Sequence, residues 1–216
     1  HRGEGARPGA TPLTTPIYAT STFTFASAAE IEAYQRGEGS GFLYSRYANP
    51  TVEAAEEKLA VLEGAEAALV TSSGMAATAT ALFGLLESGD ELVCSAAIYG
   101  GTLHLAEFLR RFGVTVRYGS LDELAEPERL IGPRTKLVWF ESPINPTLRC
   151  VDVARIAEAC RARGVTSVID NTFASPINQQ PLAMGVDLVM HSATKFLNGH
   201  SDVTAGALAG SRPLVD

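Results

Sequence analysis

One lysine, Lys195, stands in the segment HSATKFLNGHSDVTAG (His191 to Gly206) just after Ser192 and Thr194, and Asp170 lies upstream in SVIDNT. An amine placed there can condense with an aldehyde, neighbouring hydroxyls can hydrogen-bond an anion, and a carboxylate at the end of a preceding strand can pair with a cationic ring nitrogen. These are the tasks of a pyridoxal phosphate site: the lysine holds the aldehyde, the hydroxyls grip the phosphate and the aspartate keeps the pyridine nitrogen protonated. The reading expects Lys195 to be buried among those partners. Taken singly, each residue has a plainer account, Lys195 as a solvated loop lysine and Asp170 as the cap of the turn through Asn171 and Thr172.

Other residues join this constellation. In VTSSGMAATATALFGLL a strand ends at Thr71, and Ser72, Ser73 and Gly74 lead into a helix. Free N–H groups at a helix start, with a glycine that permits close approach, make an anion site, although Ser72 or Ser73 as a simple cap explains the same pattern. Tyr99 in AAIYGGT is placed to stack on an aromatic ring or to share a proton with a leaving group, or else only to pack. Asn145 in ESPINPT could hydrogen-bond a ring hydroxyl or be merely a turn residue. Tyr44 and Arg46 in FLYSRYANPT would project on one side of an extended segment and could reach phosphate oxygens, the plainer account of Arg46 being an exposed basic residue. His191 and His200 read as structural histidines rather than site residues.

The elements that must position these residues alternate in type. Residues 1–50 are rich in Thr, Ser, Gly and Pro and read as an extended arm, with one short helix around Ala28 to Arg36. Asn49 and Pro50 look like an N-cap and first helical position, and Val52, Ala55, Leu59 and Leu62 recur at helical spacing up to Gly64. Residues 51–216 form the sheet domain: AALVT, ELVCS, VTVRY, KLVWFE, TSVID, VDLVM and GALAG read as strands. Helices are predicted between them over Gly74 to Leu86, Leu103 to Arg111 and Val153 to Arg163. That alternation predicts an α/β fold, a mostly parallel sheet with helices on both faces, whose ligands sit at the carboxyl ends of the strands. Each candidate residue in the domain lies at or just after such an end. SRPLVD shows no obvious terminal element.

Composition narrows the partners. The chain has 216 residues, 46% hydrophobic and 19% charged, with a formal net charge of −7. No basic footprint for nucleic acid or an anionic membrane surface is present, and neither is an apolar run of membrane-spanning length or a signal-peptide core. The expectation is a cytoplasmic protein that binds no nucleic acid and no membrane. Cys94, Cys150 and Cys160 lack zinc-site or disulfide-framework spacing and read as reduced structural thiols, with no metal site.

Taken together, YSRYANPT, SSGMAA, YGGT, ESPINPT, SVIDNTFASP and HSATKFLNGHSDV resemble, in order and over nearly the whole chain, the Cys/Met-metabolism (trans-sulfuration) family of pyridoxal phosphate enzymes. Its members include cystathionine γ-synthase, cystathionine γ-lyase, cystathionine β-lyase, methionine γ-lyase and the O-acetyl- and O-succinylhomoserine sulfhydrylases. The resemblance implies fold type I, the aspartate-aminotransferase-like large domain, and a homotetramer built as a dimer of dimers that share active sites. It implies that Lys195 carries the cofactor and shuttles protons, that Asp170 pairs with the pyridine nitrogen and that Tyr99 stacks on the ring. Ser73, Gly74, Met75, Thr172, Ser192 and Thr194 would surround the cofactor, chiefly its phosphate. Tyr44 and Arg46 would complete the phosphate site of the neighbouring subunit, and Asn145 would help place the cofactor and the substrate carboxylate. The implied chemistry is elimination or replacement at Cγ of a homoserine-derived or cystathionine substrate.

Full-length members continue into a smaller C-terminal domain that usually carries the arginine for the substrate carboxylate, and this chain lacks it, so truncation, processing or missing density is expected. Methionine γ-lyases commonly carry a cysteine at the position matching Gly101, so the glycine argues against that member, while LNGHSDV resembles the cystathionine γ-synthase and γ-lyase branch. A reading of another class, a non-catalytic cofactor-binding or assembly protein on the same sheet, would be expected to lose Lys195 or Asp170, and both are present.

Overall fold

The computed structural model describes residues 12–39 and 41–216. Two compact units divide the chain, His1–Ala55 and Glu56–Asp216.

In the first unit, Ser27 caps helix α1 (Ala28–Gln35) by accepting from the Glu30 N–H, and α1 buries none of its residues. An antiparallel bridge joins Thr22 to Tyr44. Helix α2 (Pro50–Glu63) begins here and runs into the second unit. Asn49 caps it as expected, its Oδ1 accepting from the Thr51 N–H at 2.9 Å while its amide donates to Tyr18 O and Ser45 Oγ. The apolar stripe predicted on α2 is not buried: Val52 and Leu62 are exposed, and the buried residue is Glu63, drawn inward by polar partners on the sheet domain.

The second unit holds β1 (Ala67–Thr71), α3 (Gly74–Leu85), β2 (Glu91–Ser95), α4 (Gly100–Leu109), β3 (Thr115–Gly119), α5 (Leu121–Leu124) and β4 (Thr135–Glu141). It continues through α6 (Val153–Ala162), β5 (Thr166–Asp170), α7 (Ser175–Asn178), β6 (Leu188–His191), β7 (Gly206–Gly210) and α8 (Arg212–Val215). The strands form one seven-stranded sheet in the order β1-β7-β6-β5-β4-β2-β3. Pairings among β2 to β6 are parallel, and only β7 runs antiparallel, to both β1 and β6.

Alternation along the strands gives each face its own core. Leu92, Cys94, Leu137, Trp139, Val168, Leu188 and Met190 pack on one face with Ala77, Ala81, Leu82, Ala106 and Leu109 of α3 and α4. Val93, Val138, Phe140, Ile169 and Val189 pack on the other with Ile156, Ala157 and Cys160 of α6. The same parity places Glu141 and Asp170, the last residues of β4 and β5, on the α3/α4 face, and sends His191 to the opposite one.

Several boundaries differ from expectation. Helix α4 starts at Gly100 rather than Leu103, with Tyr99 in a non-helical backbone conformation as its N-cap. The short α5 follows from a capping box in which Ser120 and Glu123 exchange side-chain-to-backbone bonds. The C-terminal segment is not featureless: α8 is tied down by its Arg212 N–H, which donates to Glu66. Cys94 and Cys160 are buried, and burial first, then the charge of Glu107 or Asp187, pushes both thiols up to about 12; Cys150 is exposed, so it does not share that buried structural role.

Candidate active site

Strand β5 ends at Asp170, 7% exposed. Burial raises its pKa, and hydrogen bonds from Thr172 and the field of His191 pull the other way. The Thr172 N–H donates to Asp170 Oδ1 at 3.0 Å and the Thr172 hydroxyl donates to the same oxygen. That hydroxyl in turn accepts from the Ser192 N–H at 2.8 Å. Thr172 therefore links the ends of β5 and β6, holding Asp170 and Ser192 in one register.

At the end of β1 the chain turns into α3. Ser73 is its N-cap, with Oγ accepting from the Ala76 N–H at 3.0 Å, so the capping account of this serine holds at the level of its hydroxyl. The next amides, of Gly74 and Met75, are the first orphan donors of the helix and are available to an anion. Gly74 is buried against Ser192: a Cβ added to it would lie 2.7 Å from Ser192 Cβ. Opposite, a Cβ on Gly206 would lie 2.1 Å from Ser73 O, so β7 can start there only as glycine. The two glycines let three chain segments converge around the helix start.

Lys195 follows β6 on a turn closed by its N–H donating to Ser192 O at 3.0 Å. Its side chain is exposed and lines the cavity. Thr194 does not offer a free hydroxyl: Oγ1 donates to Ala205 O at 3.0 Å and accepts from the Ala205 N–H at 2.9 Å, strapping the lysine turn to the approach of β7. Among the hydroxyls expected to meet a phosphate, that of Ser192 is the one beside Gly74 and clear of such an internal pair.

Tyr99, 51% exposed, caps α4, and Asn145 lies in the loop after β4. Both were read from the sequence, yet the residue that connects them was not. Glu141, 4% exposed, accepts from the Tyr99 N–H at 2.9 Å through Oε2 and from the Asn145 N–H at 2.8 Å through Oε1. Burial first, and the nearby Asp170 charge, raise its pKa to about 7 against the pull of those two amides. The signal available in the sequence was its position as the last residue of KLVWFE, the same strand-end position as Asp170.

All ten predicted residues of the sheet domain, Ser73, Gly74, Met75, Tyr99, Asn145, Asp170, Thr172, Ser192, Thr194 and Lys195, line a single cavity of about 300 Å³, together with Glu141. Orphan amides and a serine hydroxyl at one side, a buried carboxylate at depth, an aromatic face and an exposed amine fit the phosphate, ring nitrogen, ring and aldehyde of pyridoxal phosphate. Tyr44 and Arg46 belong to the first unit, where residues 44–47 form a turn rather than the expected extended run, because the Tyr47 N–H closes on Tyr44 O. The Arg46 guanidinium lies 4.9 Å from the Tyr44 ring centroid and 5.2 Å from that of Tyr47, so the two still share a side by stacking. His191 is engaged away from the cavity in a buried pair with Glu63, as a structural histidine would be, and His200 is exposed. Among the described residues no cluster of His, Cys, Asp and Glu could hold a metal, and no helix is long and apolar enough to cross a membrane.

Comparison with known proteins identifies a family. The model of the family described as Cys/Met metabolism PLP-dependent enzyme matches residues 1–215. The L-methionine gamma-lyase of Pseudomonas putida is 42% identical over 217 residues, covering 100% of this chain and 54% of that protein. The O-succinylhomoserine sulfhydrylase of Pseudomonas aeruginosa is 43% identical over 195 residues, 90% of this chain and 48% of that one. The metY structure from Campylobacter jejuni, which carries N'-pyridoxyl-lysine-5'-monophosphate, superposes with a TM-score of 0.87 at 34% identity over 94% of this chain and 50% of its own. The chain spans about half the length of the curated relatives it matches.

Proposed function

The chain belongs to the Cys/Met metabolism PLP-dependent enzyme family, and from that premise we propose that its full-length protein catalyses γ-elimination or γ-replacement on a cystathionine or homoserine-derived substrate, in the manner of a cystathionine γ-lyase or γ-synthase. The observation that carries this reading is the single cavity in which Lys195, Asp170, Tyr99 and the start of α3 converge. LNGHSDV favours that branch, and Gly101 argues against methionine γ-lyase. Relatives named for methionine γ-lysis and for O-succinylhomoserine sulfhydrylation stand at similar identity, so those reactions, with cystathionine β-lysis, form the second reading.

Bound in this cavity, pyridoxal phosphate supplies an aldehyde for amines and a ring that takes up electrons from substrate Cα. The Gly74 and Met75 amides and the Ser192 hydroxyl would hold its phosphate, Asp170, oriented by Thr172, would hold the proton on its ring nitrogen, and Tyr99 would stack on the ring. Lys195 Nζ would hold the aldehyde of the bound group and, as a free amine, would take the proton from substrate Cα and then accept one from Cβ, so that a γ-substituent can leave. Asn145 orients the substrate carboxylate.

The same reading assigns residues 1–50 to an arm that reaches a neighbouring subunit and 51–216 to the cofactor-binding large domain. Tyr44 and Arg46 then complete the partner's phosphate site in a homotetramer, a dimer of dimers, working in the cytoplasm. The deciding experiment incubates the full-length protein with L-cystathionine and identifies products by mass spectrometry. Cysteine with 2-oxobutanoate is the γ-lyase outcome; homocysteine with pyruvate makes it a β-lyase. No turnover moves the assignment to a γ-synthase or sulfhydrylase acting on an O-acylhomoserine.

A further inference from the structure

Glu141 ends β4 directly beside Asp170, its register partner on β5, and both side chains fall on the face that carries α3 and α4. Among the described residues Glu141 forms no ion pair; its two oxygens are occupied by the backbone amides of Tyr99 and Asn145, which stand in loops after two different strands. A buried carboxylate without a cation is unfavourable unless its lone pairs are well satisfied. Here the satisfaction comes from groups that each lead straight to a cavity-lining side chain.

From this we propose that Glu141 is a positioning residue that clamps the ring-covering Tyr99 and the loop of Asn145 to the same sheet edge as Asp170, so that the three approach the bound cofactor as one rigid frame. The inference rests on the cofactor assignment above. Its physical content is a double bond to charge: each amide-to-carboxylate hydrogen bond is stronger than a neutral one, and Glu141 makes one to each loop. Without it, the N-cap of α4 carries no side-chain hydrogen bond, since Tyr99 itself provides none.

The test uses the full-length protein loaded with pyridoxal phosphate and reads the visible circular dichroism of the cofactor and its release rate. Glu141→Gln keeps the shape but turns an N–H donor toward one of the two amides. It is expected to accelerate cofactor release about tenfold, the scale of one lost hydrogen bond to a charged group, and to diminish the visible band. Glu141→Asp, too short to span both loops, should fall between. In a Tyr99→Ala background the Glu141→Gln effect should shrink, since the clamp would then have lost one of the side chains it positions. A measurement on the unaltered protein covers the case in which the variants do not fold: the Tyr99 and Asn145 amides should resist hydrogen exchange well beyond those of neighbouring loop residues. Wild-type release and dichroism in Glu141→Gln, full additivity with Tyr99→Ala, or unprotected amides would each overturn the proposal. Failure of the unaltered protein to bind pyridoxal phosphate would instead overturn the cofactor assignment on which it rests.

Discussion

The turn that presents Tyr44 and Arg46 and the strand ends that present Asp170 and Ser192 offer similar chemistry on different foundations. In the first unit the described residues bury little beyond Asn49, and Leu13, Ile17 and Tyr47 are 102%, 84% and 67% exposed. Arg46 is held by stacking on two tyrosines and by a local turn. At the sheet edge Asp170, Glu141 and Ser192 sit above two apolar cores and are cross-linked by Thr172 and by backbone amides. A site residue on a packed sheet is oriented before any ligand arrives, whereas one on a coreless segment gains its orientation only from what it meets. The division of labour under the proposed function follows: the sheet carries the chemistry, and the arm adds phosphate contacts.

Breaking the sheet side should therefore have the larger consequences. Lys195→Ala in the full-length protein is expected to lower turnover about a thousandfold while leaving the fold intact, because the side chain is exposed and its removal opens no cavity. Turnover by mass spectrometry and the melting temperature check this together; an unchanged rate would restore the non-catalytic reading. Gly206→Ala should destabilise the protein by roughly 1–3 kcal/mol or more, since the new Cβ meets the Ser73 carbonyl rather than a side chain that can move aside. Chemical denaturation measures it. Gly74→Ala should also strain the fold, since its Cβ meets Ser192 Cβ and the Ser192 backbone, and should weaken cofactor binding by about tenfold or more as the anion pocket narrows.

A finer contrast comes from pH. Burial holds the Glu141 pKa near about 7, above the ordinary carboxylate range, so between those values the folded state binds a proton that the unfolded chain does not. Its contribution to stability is then fully present below the unfolded value and is lost as pH rises through about 7. Cofactor-free protein should melt at a higher temperature at pH 6 than at pH 8, and Glu141→Gln should flatten that slope. The smallest effect belongs to the arm: Arg46→Lys should shift the melting temperature by no more than about 2 °C. Its cofactor affinity should fall measurably, because a lysine cannot offer the bidentate fork. A large loss of stability instead would show that Arg46 supports a packed structure and dissolve the contrast.

Much of this was legible from the residues. Strand and helix periodicity located every strand of the sheet within about two residues, and residues at or just after strand ends, together with the family resemblance, named ten members of one cavity. Short elements escaped because they depend on local caps rather than on periodicity, as in α5 with its Ser120–Glu123 exchange. Thr194 was read as an anion hydroxyl because its type and place suit that task, but the backbone of Ala205, across the loop that leads to β7, engages it.

The amino-acid sequence by itself determined the alternating elements and the identity of the amine, carboxylate and glycine turns, because those follow from residue type and local spacing, and its ordered motifs carried the resemblance to the family. Only the tertiary structure decided that Lys195 stands exposed, that Thr172 couples Asp170 to Ser192 and that Glu141 ties Tyr99 to Asn145. Each of those facts depends on which strand ends lie side by side and on which face a side chain emerges. Strand order and pleat parity set both, and neither is a property of any one segment.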